Sequence, residues 1–72
     1  MTPEKARLAL EEACANHERI AQAVRQSPDD YATRRSLVRA IGAGRAAWRW
    51  YQAAGACLEK PLADAVPEEF KA

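Results

Sequence analysis

A chain of 72 residues makes one domain at most, and its composition (49% hydrophobic, 29% charged, formal net charge +1) is that of an ordinary water-facing protein. A chain this short hides a modest share of its surface, so a single core needs staples or partners. Two cysteines are too few for a secreted disulfide framework. No uncharged run approaches the ~20 apolar residues that a membrane span requires.

The first segment, MTPEKARLALEEA, has no apolar run behind a basic start and reads as a helix, not as a secretory leader. The expected compartment is therefore cytoplasmic, with both cysteines as thiols. Thr2-Pro3-Glu4 supplies a cap hydroxyl, a proline at the first helical position and an acid in the first turn. From Glu4 to Gln26 neither Gly nor Pro interrupts, which predicts a helix over 3–26. Its apolar residues, Ala6, Leu10, Ala13, Cys14, His17, Ile20, Ala21 and Val24, recur three and four apart and form one narrow stripe.

Ser27-Pro28-Asp29-Asp30 repeats the start signal, with Ser27 as cap and Asp30 as the third residue of a capping box. It predicts a second helix over 28–59, weakened at Gly42, Gly44 and Gly55 by about 1 kcal/mol each relative to alanine. At 100° per residue Leu37, Ile41, Gly44, Trp48, Tyr51, Gly55 and Leu58 share one side. Ala32, Ala40, Ala43, Ala47, Trp50 and Ala54 widen that apolar sector to about half the circumference. A narrow stripe on the first helix cannot cover so wide a sector. The short connection turns the helices back as an antiparallel hairpin, in which residues whose numbers sum to about 55 lie opposite one another. The aromatic cluster then sits at the open end, where the tail, 60–72, is free to fold back; it reads as one short turn, Leu62 to Val66, and then a loosely held end with Phe70 as an anchor. No alternating strand pattern occurs. The expected fold is all-α: one domain, 1–72, dimerising into a four-helix bundle to cover the surplus apolar surface.

Chemistry is sparse. Cys14-x-x-His17 with a distant Cys57 suggests zinc, but strong sites bring two close pairs of ligands. In the hairpin Cys57 lies about 16 residues beyond the position facing Cys14, roughly 24 Å at helical rise, so neither a metal nor a disulfide joins them. His17 is placed among Cys14, Ile20, Val38 and Ile41, with nothing to orient its imidazole, so no catalytic residue, cofactor or metal is assigned. The small residues Ala40, Gly42, Ala43, Gly44, Ala46 and Ala47 fit close helix packing better than a phosphate loop, which needs a preceding strand.

The charge pattern says more. From Tyr31 to Leu58 there are five arginines (Arg34, Arg35, Arg39, Arg45, Arg49) and no acid, whereas residues 59–72 carry four acids and two bases. Arginine offers forked donors to carboxylate or phosphate. Trp50 projects about 160° away from Trp48 and cannot share its layer, and beside Arg49 it has the character of an interface anchor. The expected function is a non-enzymatic interaction module of adaptor, regulator or inhibitor type. Its partner, a larger and acidic protein, would meet Arg35, Arg39, Arg45, Arg49 and Trp50, while Leu10, His17, Ile20, Val24, Leu37, Ile41, Gly44, Trp48 and Tyr51 form the core and dimer seam. Alternatives are a nucleic-acid or nucleotide binder using the same face, a small subunit docked on one larger protein, or an arginine face merely neutralised by Glu11, Glu12 and Glu18 or by the acidic tail of a neighbour. In fold alone, small capped hairpins of this kind resemble plasmid- and phage-encoded accessory proteins.

Overall fold

The computed structural model describes residues 2–55 and 60–71. It contains α1 (Pro3–Gln26), α2 (Tyr31–Ala53) and two short tail helices, α3 (Lys60–Ala65) and α4 (Glu68–Lys71), with no strand among the described residues. The positions read from sequence at Cys57, Leu58 and Glu59 lie outside these residues.

Both long helices start from a capping side chain. The Thr2 hydroxyl accepts from the Lys5 amide at 3.3 Å, and Pro3 follows where a missing N–H costs nothing. At the start of α2 the cap is Asp30 and not Ser27, a correction with a plain cause. Ser27 is consumed in closing α1, its amide donating to the Ala23 carbonyl at 3.0 Å, and its own carbonyl accepts from the Asp30 amide at 3.1 Å to form the turn. The Asp30 carboxylate then accepts from the Ala32 amide at 3.1 Å and the Thr33 hydroxyl at 2.7 Å. The helix therefore begins at Tyr31, not at residue 28.

Those hydrogen bonds, that of the Thr33 hydroxyl above all, hold the Asp30 carboxyl below its ordinary value. A depressed folded value means that the cap contributes above the unfolded pKa, about 3.9, and is lost as pH falls through the folded value. Asp30→Ala should thus loosen the start of α2 at neutral pH. Amide exchange at Ala32 and Thr33 should accelerate, and the gap to the parent chain should close in strong acid.

The other end of α2 also falls short of the sequence reading. Gly55 adopts φ 68°, its amide donating to the Gln52 carbonyl at 3.1 Å while the Ala54 amide donates to Trp50 at 2.9 Å. A glycine in the left-handed region terminates a helix at little cost, and α2 ends at Ala53 instead of residue 59.

α1 and α2 pack together as a hairpin, and α4 lies against α2, in a rod of 40 × 20 × 19 Å. The α1 stripe faces inward, with Ala6 and Leu10 buried and Ala13, Cys14, His17, Ile20, Ala21 and Val24 half-buried. On α2 the buried set is Ala40, Gly44, Ala47, Trp48 and Tyr51, while Leu37 and Ile41 are half-buried. The inward direction is thus rotated toward the alanines, because small side chains let the two helices approach. One cluster joins Ala6, Leu10, Ala47, Trp48 and Tyr51 to Val66 and Phe70 of the tail, with Leu62 packed beside it. The tail so covers part of the wide α2 sector that the sequence reading assigns to a second chain. Among the described residues no helix is long and apolar enough to cross a membrane.

Candidate functional site

α2 presents two faces, and the tail covers part of one. Phe70 is 1% exposed and sits where Gly44 has no side chain; a methyl added to Gly44 would clash with the edge of the Phe70 ring. The close approach expected of the small residues is therefore made at Gly44 by an aromatic ring of the chain's own tail. Gly42, by contrast, has nothing within 4 Å of where a side chain would begin.

Three polar contacts secure the tail around that ring. Arg45 Nε donates to the Glu69 carbonyl at 2.9 Å. His17 Nε2 lies 3.3 Å from Glu69 Oε2, an ion pair when the imidazole is protonated, and the His17 ring meets Phe70 edge-on at 5.4 Å. Lys71 Nζ stands 5.6 Å from the centre of the Trp48 ring, which stacks on Tyr51 at 6.2 Å. The surroundings expected for His17 need correction, since Val38 points to solvent at 69% exposure and the tail supplies a ring and a carboxylate. The partner missed from sequence belongs to a segment separated from His17 by most of the chain. Its only sequence signal is Phe70, the single phenylalanine, set among Glu68, Glu69 and Lys71.

Cys14 is not an activated thiol. Burial first, and the Glu11 carboxylate second, push the Cys14 thiol above its usual value. A thiol raised in this way holds little thiolate near neutrality and is a poor nucleophile. No group of three or more His, Cys, Asp or Glu side chains suited to a metal occurs among the described residues.

The other face of α2 points to water. Arg34, Arg35, Arg39 and Arg49 are exposed, and their guanidinium groups form no ion pair or hydrogen bond among the described residues. With them lie Tyr31 at 73%, Val38 at 69% and Trp50 at 51% exposure. All five residues read as partner-binding are exposed; Arg45 also donates its Nε to the tail, while Arg35, Arg39, Arg49 and Trp50 make no such contact among the described residues. These four are strung over about 22 Å of helix at 1.5 Å per residue and do not converge on one point. Such a surface suits an extended contact, not the enclosure of a small molecule.

The fold and this face define an all-α hairpin, closed by its own tail, that presents a one-signed helix surface to solvent. Comparison with protein-family models, with curated proteins and with solved structures finds no match to this chain.

Proposed function

We propose that this chain is a non-enzymatic protein–protein interaction module, of adaptor, regulator or inhibitor type, acting through the outward face of α2. The observation that carries this reading is the pairing of arginines that have no side-chain partner among the described residues with a half-exposed tryptophan, on one helix whose opposite face is already covered. An exposed aromatic flanked by arginine is the residue pair most enriched where binding energy concentrates. The partner is a larger, acidic protein. A second copy suits this face less well. Packing α2 on α2 about a two-fold axis near Gly42 sets Arg35 against Arg49 and Arg39 against Arg45, and like charges in an interface are costly.

The test uses two surface variants. Affinity capture from the source cell should enrich a partner that Trp50→Ala weakens by about 2 kcal/mol, close to thirty-fold in Kd. Arg49→Glu should weaken it through charge reversal, while helix content by circular dichroism stays at the parent value. If both variants bind as the parent does, this face is not the working surface. A dimer by light scattering that Trp50→Ala dissociates would reassign the face to self-association. Affinity falling steeply with salt, with capture of nucleic acid, would favour the phosphate-binding reading.

A further inference from the structure

The tail shows what kind of element α2 accepts. α4 is a short helix, Glu-Glu-Phe-Lys, that seats one large apolar side chain at Gly44 while Arg45 of α2 donates to the Glu69 backbone carbonyl beside it. Toward the hairpin turn the same helix borders a second recess, of about 470 Å³, which no described residue fills. Val24 of α1 forms one wall, and Tyr31, Arg34, Arg35, Leu37 and Val38 of α2 form the rest. Its volume falls in the range that takes a small ligand or several side chains of a docked segment.

The lining mixes aliphatic walls with forked cations. Val24 and Leu37 are half-buried, so they form a fixed floor, while Tyr31 and Val38 stand exposed at the edges. Arg34 and Arg35 are exposed and make no ion pair among the described residues. We propose that this recess docks an acidic amphipathic helix of a partner protein, with apolar side chains against Val24, Leu37 and Val38 and carboxylates on Arg34 and Arg35. The proposal rests on the reading of α2 as an interaction helix. It places the contact at the turn, roughly 18 Å along the helix from Trp50.

Charge complementarity decides the occupant. A guanidinium fork pairs with a carboxylate in two parallel hydrogen bonds, and α2 offers no acid to compete. A nucleic-acid strand fits less well. The walls Val24, Leu37 and Val38 are aliphatic and match apolar side chains, whereas single-stranded bases bind by stacking on aromatic rings. A second copy is also unsuited, because its acidic helix α4 is already seated on its own α2.

The experiment titrates the isotope-labelled full chain with a synthetic amphipathic helix of about four turns, with leucines on one face and glutamates on the other. The expected result is that amide shifts cluster at Tyr31, Arg34, Arg35, Leu37 and Val38. The same peptide with lysine for glutamate should bind about tenfold more weakly or worse. Val38→Glu and, separately, the Arg34→Glu/Arg35→Glu double variant should each lose about tenfold in affinity. Both changes are at exposed positions, and an unchanged circular-dichroism spectrum verifies the fold. Shifts centred on Arg49 and Trp50 instead would overturn the recess while leaving the interaction reading of α2 in place. Equal binding of the lysine peptide, no binding of the glutamate peptide, or displacement by a thymidine oligonucleotide with steep salt dependence would each sink the proposal outright.

Discussion

Phe70→Ala should remove about 3–5 kcal/mol, the range for truncating a buried aromatic. In a chain of this size that approaches the whole stability of the fold. Among the described residues only Tyr51, Phe70 and Leu10 are large side chains buried to below 2% exposure, so Phe70 is a major part of the core despite its position near the end of the chain. Its loss also frees the neighbouring tail contacts, the Glu69 carbonyl on Arg45 and the Glu69 carboxylate on His17, because the ring anchors the helix that carries them. Urea titration of parent and variant by circular dichroism measures the cost. A loss under about 1 kcal/mol, typical of surface changes, would mean that the tail is not seated as described.

Gly44 makes the same claim testable with the opposite sign. In an exposed helix interior Gly→Ala gains about 1 kcal/mol from helix propensity. At Gly44 the added methyl meets the Phe70 ring, so in the parent chain the substitution should destabilise, by about 1–3 kcal/mol for an overpacked site. With Phe70 already truncated to alanine the obstruction is gone, and Gly44→Ala should become stabilising. A reversal of sign in this double-mutant cycle cannot come from propensity alone. At Gly42, where nothing stands in the way, Gly→Ala should be stabilising in both backgrounds.

Local signals carried much of the architecture, and the failures share one physical origin. The α1 stripe is a matter of period, and every residue of it, from Ala6 to Val24, is buried or half-buried. Period also separates Trp48 from Trp50, at 8% and 51% exposure, since two residues on a helix differ by about 200°. What period cannot supply is the cover for a face when that cover comes from far along the chain. The width of the α2 apolar sector was legible, and so was a return of the tail with Phe70 as an anchor, but how much of that sector residues 60–71 would cover in place of a second chain was not. The Phe70–Gly44 fit is long-range, and a glycine in a helix carries the same letter whether it serves packing, flexibility or nothing. The cap error at Asp30 is of another kind. Ser27 and Asp30 are both good caps, and only the backbone turn between them shows that the serine is spent on α1. The outward arginines were legible as a charge asymmetry. Arg45 also donates to the returning tail, which no local pattern marks.

The two tryptophans provide the second large effect and the sharpest contrast. Trp48 belongs to the buried cluster, stacks on Tyr51 with an interplanar angle of 21° and lies beneath the Lys71 ammonium. Trp48→Ala should therefore cost about 3–5 kcal/mol, enough to unfold much of the population at ambient temperature. Trp50→Ala should fall within about 0.5 kcal/mol of the parent, since a half-exposed ring outside the cluster leaves no cavity behind it. Helix propensity shifts that value slightly toward stabilisation, alanine being the better helix former. Fluorescence reads the same difference without unfolding the protein. With Trp50→Phe only Trp48 emits, and its spectrum should be blue-shifted and resist iodide, whereas Trp48→Phe should leave a red-shifted, freely quenched Trp50. If Trp50 proved as protected as Trp48 in the isolated chain, some surface would already cover it. Self-association would then be the first explanation to test, and dilution would separate it from a further intramolecular contact. A protected Trp50 that becomes quenchable on dilution lies in a seam between copies. One that stays protected at every concentration would remove the outward face of α2 as a site open to a partner.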